Sequence, residues 1–92
     1  MTVPARPADL PLVLLTRPEC ELCEQMLREL EGLRRQQALP PIELIDVDSD
    51  PQLQRRYGLK IPVLLLDGVP ICSVRLDVVE LRRALRTKAD TA

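Results

Sequence analysis

Apolar residues along this chain fall into two kinds of pattern, continuous runs and helical stripes. Leu12-Val13-Leu14-Leu15 and Val63-Leu64-Leu65-Leu66 are apolar at every position, the mark of strands covered on both faces of a sheet. Between them, Leu22, Met26, Leu27, Leu30 and Leu33 recur at three and four, with Glu, Gln and Arg interspersed. That spacing predicts an amphipathic helix of about four to five turns starting near Cys20. Gly32 is its weak spot, marking either close packing or fraying before Pro40-Pro41. Ile42 to Val47 reads as a second strand. Asp50-Pro51 supplies a cap and a first-position proline for a short helix through Tyr57, which Gly58 ends. After the run from Val63, Asp67-Gly68 is a two-residue hairpin signal leading to a fourth strand over Pro70 to Val74. Pro70 places that strand at an edge. Asp77 caps a last helix, with Glu80 in the capping-box position and Val78, Leu81 and Leu85 as its buried stripe.

The order strand, helix, strand, helix, strand, strand, helix predicts an α/β fold with a four-stranded mixed sheet and helices on both faces. One domain is expected over residues 11–87. Residues 1–10 read as a flexible leader and 88–92 as a flexible tail.

Composition narrows the chemistry. The 92 residues carry 13 Lys plus Arg against 14 Asp plus Glu, for a net charge of -1. This balance gives no electrostatic reason for a nucleic acid or anionic membrane partner. No apolar stretch approaches the roughly 20 residues of a membrane helix, and no secretory signal pattern precedes the first strand, so the expectation is a cytoplasmic protein. A monomer is expected, although no sequence feature names the oligomeric state. Histidine, tryptophan and phenylalanine are absent, which removes imidazole acid/base chemistry, His-containing metal sites and most aromatic platforms for bases. Asp46-Val47-Asp48-Ser49-Asp50 resembles the start of a calcium loop only superficially. Pro51 stands where that loop needs glycine, and Tyr57 where it needs a bidentate glutamate.

Chemistry concentrates in Thr16-Arg17-Pro18-Glu19-Cys20-Glu21-Leu22-Cys23. The two cysteines fall where a strand ends and a helix begins. There, unpaired backbone N–H groups and the positive end of the helix dipole favour a thiolate. The two-residue spacing lets Cys23 resolve a mixed disulfide formed at Cys20. Cys20, the leading residue, is expected to attack, and Cys23, one turn inward, to remain protonated. Zinc would need four ligands, and the chain offers one further cysteine, Cys72, and no histidine. No metal site is therefore expected, and Cys72 reads as a small buried apolar residue.

A CxxC on the first strand-to-helix turn, Ile61-Pro62-Val63 before a later apolar strand, and this element order together resemble the thioredoxin fold. Within that fold the chain is similar to glutaredoxin-like proteins, closest to a small group with a Cys-x-Leu-Cys motif. The likeness runs from about Leu12 to Leu85 and includes Asp46-Val47-Asp48, Arg56-Tyr57-Gly58, Asp67-Gly68 and Leu76-Asp77. It implies Cys20 as nucleophile, Cys23 as resolving thiol, and Pro62 as a cis-proline facing them. The backbone of Ile61 would pair with a substrate chain, and Arg17 falls where glutaredoxins place a lysine that contacts a glutathione carboxylate. Glu21-Leu22 replaces the family's usual Pro-Tyr, and Cys72-Ser73 stands roughly at its Gly-Gly. The implied activity is thiol-disulfide exchange, with no bound cofactor and glutathione as a co-substrate. The implied partner is a disulfide-containing protein or a glutathione mixed disulfide. Two alternatives remain: a glutathione-dependent iron-sulfur cluster carrier, and a binding module with little turnover.

Overall fold

A computed structural model describes residues 11–91, with side chains through Lys88. The elements are β1 (Leu12–Thr16), α1 (Glu21–Arg34), β2 (Ile42–Asp46), a 3-10 turn (Val47–Ser49), α2 (Pro51–Tyr57), β3 (Val63–Leu66), β4 (Val69–Ser73) and α3 (Val78–Thr91). The strands form one sheet in the order β2-β1-β3-β4. β1 pairs parallel with β2 and antiparallel with β3, and β3 pairs antiparallel with β4. The mixed sheet read from the hydrophobic pattern is thus present, with the two continuous apolar runs, β1 and β3, at its centre.

Strand alternation distributes the core over two faces. Leu12, Leu14, Leu64 and Leu66 point to one, where they meet Met26, Leu30 and Leu33 of α1 and Leu81 of α3. Leu15, Val63 and Leu65 point to the other, where they meet Val47 and Tyr57. Each buried leucine contributes about 1.5–3 kcal/mol relative to an exposed one, so the first face supplies most of the apolar stabilisation.

Helix ends follow local chemistry. Asp50 Oδ1 accepts from the Gln52 N–H at 2.7 Å with Pro51 opening α2, and Asp77 Oδ1 accepts from the Glu80 N–H at 3.0 Å. The reciprocal half of a capping box is replaced: the Glu80 carboxylate pairs with Arg83 at 3.0 Å. Asp67 and Gly68 both take positive φ, 52° and 78°, the two left-handed residues that a tight hairpin of this twist needs.

Several boundaries differ from expectation. Cys20 is the N-cap of α1 rather than its first residue. The buried stripe of α1 is Cys23, Met26, Leu30 and Leu33, while Leu22 is 40% exposed. Gly32 neither permits close packing nor ends the helix, since a Cβ there would meet nothing within 4 Å. β2 stops at Asp46 because the chain turns there, the Asp46 side chain accepting from the Asp48 N–H at 2.8 Å. β4 spans Val69–Ser73, and a register shift between Leu64 and Leu65 leaves Ile71 as a bulge beside Pro70. α3 continues through Thr91, where a flexible tail was expected from residue 88. Lys88 pairs with Asp67 at 2.9 Å and holds that turn against the hairpin. The expected leader, residues 1–10, lies outside the described residues.

Candidate active site

The site forms at the carboxyl end of β1. The turn leaving Thr16 passes through Glu19 in a left-handed conformation (φ 59°) and delivers Cys20 in an extended one (φ -107°, ψ 105°), just outside the first turn of α1. Cys20 and Cys23 form a disulfide with Cα atoms 5.2 Å apart. The backbone N–H of Cys23 donates to the Cys20 sulfur at 3.2 Å. One of the helix's otherwise unpaired donors is therefore aimed at this sulfur, the arrangement that favours a thiolate when the bond is reduced. Cys20 is half-buried and Cys23 is only 3% exposed. Solvent and partner therefore reach the first thiol more readily than the second.

Strand register brings the second expected segment alongside. Leu15 of β1 lies opposite Val63 of β3, so Ile61 and Pro62 fall beside the end of β1 and the turn that leaves it. The Ile61-Pro62 peptide is cis, and the Pro62 carbonyl accepts from the Val74 N–H at 2.7 Å. Ile61 is half-buried and Pro62 buried. Val74 itself has φ 70°, a β-branched residue in the left-handed region, which costs on the order of 1–3 kcal/mol. Val74 is nevertheless 41% exposed.

Arg17 is already engaged. Its Nε donates to Asp48 Oδ2 at 2.8 Å and its Nη2 to Asp48 Oδ1 at 3.0 Å, a two-pronged ion pair. Nη1 donates to the Gly58 carbonyl at 3.3 Å, and Gln54 Nε2 donates to Asp48 Oδ1 at 3.1 Å. This clasp ties the turn after β1 to the 3-10 turn and α2. The hydrogen bond from Arg17 holds the Asp48 carboxyl below the usual carboxylate range, and the same bond raises the guanidinium. Asp48, Gln54 and Gly58 were not singled out for this site by sequence reasoning. Asp48 lies 31 positions from Arg17, and nothing in its local pattern indicates such a partner.

Cys72 lies on β4 opposite Leu64, free and partly buried. Burial pushes its thiol up, which keeps it protonated and unreactive near neutral pH. Among the described residues no group of three or more His, Cys, Asp or Glu is placed to hold a metal ion.

Residues 11–86 match the family described as glutaredoxin-like domain (DUF836). Among solved structures, a mutant thioredoxin from Halobacterium salinarum NRC-1 is similar at 24% identity, with a TM-score of 0.53 over 88% of this chain and 75% of that one. The thioredoxin of Fasciola hepatica is similar at 17% identity and a TM-score of 0.53, over 88% and 82% of the two chains. A malarial protein is similar at 13% identity and a TM-score of 0.57, over 87% and 97%. These likenesses show the fold. No curated protein matches the chain at a significant level. With a family match across nearly the whole described chain and the cysteine pair at the strand-helix junction, the chain belongs to the glutaredoxin-like family, on a thioredoxin-like fold.

Proposed function

We propose that this protein is a dithiol-disulfide oxidoreductase acting in a reducing compartment such as the cytoplasm. The observation that carries the reading is Cys20 at the helix cap, its sulfur accepting the Cys23 N–H, with Cys23 buried behind it. The Cys20 thiolate attacks one sulfur of a substrate disulfide, forming a mixed disulfide and releasing the other half as a thiolate. Cys23 then loses its proton and attacks the Cys20 sulfur. The Cys20–Cys23 disulfide forms, the second substrate thiolate leaves, and two electrons have passed to the substrate. An external dithiol, or two equivalents of a monothiol such as glutathione, returns the pair to the reduced state.

In this reading the backbone groups of Ile61, next to the cis Pro62, receive the substrate backbone near Cys20. Arg17 binds a substrate carboxylate only in competition with Asp48, and its standing role is to fix the turn before Cys20. Glu19 and Glu21 flank Cys20 and oppose its ionisation. The couple should therefore lie nearer about -270 mV than about -120 mV, the respective values for thioredoxin and DsbA. A titration in glutathione buffer, followed by thiol alkylation and mass analysis, tests this. A potential more oxidising than about -180 mV contradicts it.

A further inference from the structure

At the end of α1 far from the dithiol, the loop that follows Arg34 meets α3. The length of α1, about 20 Å at 1.5 Å per residue, separates this junction from Cys20. A groove of about 330 Å³ lies in it, lined by Gln37 and Ala38 of the loop and by Arg82, Leu85 and Arg86 of α3. Leu85 is half-buried against the larger core cluster and gives the groove an apolar base.

The arginines here are held differently from Arg17. Arg82 Nε donates to the Gln37 side-chain oxygen at 3.0 Å, and Arg34, three residues before Gln37, donates through Nη2 to the Pro40 carbonyl at 3.2 Å. A neutral acceptor orients a guanidinium without cancelling its charge, whereas the Asp48 carboxylate cancels that of Arg17. With Nε occupied, the two terminal nitrogens of Arg82 keep their donors for a second group. Arg82 and Arg86 stand one helical turn apart, a spacing at which like charges destabilise a helix. Arg82 also sits in the second turn of α3, nearer the positive end of the helix dipole, so the dipole does not account for it. Among the described residues no carboxylate forms an ion pair with Arg34, Arg35, Arg82 or Arg86, Glu31 of α1 included, although acidic residues outnumber basic ones in the whole chain.

The groove therefore presents oriented, uncompensated positive charge beside an apolar base. An acidic protein segment meets both features, with carboxylates for the guanidinium groups and an aliphatic side chain for Leu85. A nucleic acid strand brings the charge but no aliphatic side chain, and no aromatic ring lines the groove for its bases.

We propose that this groove docks an acidic segment of a partner protein, seating an aliphatic residue on Leu85 and carboxylates on Arg82 and Arg86. It is an anchoring surface remote from the dithiol, and it stands independently of the oxidoreductase reading.

The test uses the full-length oxidised chain and short, cysteine-free, fluorescein-labelled peptides. One carries a central leucine among aspartates and glutamates, a second has alanine for that leucine, and a third has lysine for every acidic residue. Fluorescence anisotropy reads the affinities. We expect the leucine peptide to bind at least about tenfold more tightly than the alanine and lysine peptides, the scale on which apolar pockets discriminate and opposite charge selects, and to weaken as salt rises. Arg82→Gln with Arg86→Gln should weaken it by roughly tenfold or more. Gln37→Glu should weaken it too, because Arg82 stays in place but gains a carboxylate. Arg55→Gln with Arg56→Gln removes the same charge from α2, on the other face of the sheet, and should leave the affinity unchanged. No measurable binding of the leucine peptide, equal binding of its alanine or lysine counterpart, or an equal loss in the α2 variant overturns the docking surface. So does a single-stranded oligonucleotide or a phosphatidylserine vesicle that binds through Arg82 and Arg86 more tightly than the leucine peptide.

Discussion

The two faces of the sheet are held by different physics. On the face beneath α1 and α3, eight buried apolar side chains form one cluster. On the face beneath α2 the cluster has five, helped by Arg17, Asp48, Gln54 and Gly58 in a polar clasp at the end nearest the dithiol. Apolar contact is non-directional and tolerates sliding, whereas a two-pronged ion pair fixes orientation. The larger face therefore decides whether the chain is folded. The smaller one decides how the turn before Cys20 is held.

The largest effect belongs to the seam between the faces. Cys20→Ser should reduce disulfide turnover to the uncatalysed background while the reduced protein unfolds at an unchanged midpoint, and Cys23→Ser should instead accumulate a mixed disulfide at Cys20. Turnover surviving Cys20→Ser would show that the seam is not where chemistry occurs. Next comes the apolar face. Leu30→Ala removes a wholly buried side chain and should cost about 2–5 kcal/mol in denaturant unfolding, with turnover per folded molecule retained. On the other face, a Cβ at Gly58 would overlap the Gln54 carbonyl oxygen, so the Gly58 backbone, whose carbonyl accepts from Arg17, would have to shift. Gly58→Ala should therefore cost about 1–3 kcal/mol and, unlike Leu30→Ala, change the alkylation rate of Cys20. If both substitutions alter stability alone, the division of labour between the faces is wrong.

Two smaller changes sharpen the contrast. Gly32→Ala, in open space on α1, should stabilise by up to about 1 kcal/mol and leave Cys20 chemistry untouched. Asp48→Asn should shift the melting midpoint least of all, since the pair is more than a third exposed, yet it should speed alkylation of Cys20 by releasing the Arg17 charge. Its pH dependence has a definite sign. The folded Asp48 carboxyl titrates below its unfolded value, so its contribution is present above about pH 4 and fades as pH falls through the folded value. The midpoint difference between Asp48→Asn and the parent should accordingly vanish in acid.

Legibility in the sequence followed the range of the interactions involved. β1, β3 and the body of α1 were readable because burial on two faces or on one stripe leaves a period in the chain itself. The dithiol was readable because its chemistry depends on a strand-helix junction that the same periods locate. The clasp was not, because its members are brought together by the parallel pairing of β1 with β2 and leave no local signature. Leu22 fits the helical stripe by spacing, but the buried stripe of α1 runs through Cys23, Met26, Leu30 and Leu33 and leaves Leu22 40% exposed. Val74 read as the end of a strand, since a β-branched residue gives no hint of a left-handed backbone. Leu22 and Val74 line the same small cavity between α1 and the segment after β4, where local preference and the final structure disagree.

The bulge at Ile71 beside Pro70 also bears on how copies of this chain meet in concentrated solution. A sheet's outer strands offer unpaired peptide groups to any passing strand. Along β4 that offer is interrupted, because the proline lacks a donor and the bulge breaks the spacing of the rest. Among the described residues no further strand pairs with β2, where the offer is continuous from Ile42 to Asp46, with Leu44 52% exposed. Among the described residues, edge-to-edge association thus has its open route along β2, and the exposed carboxylate of Glu43 stands on it.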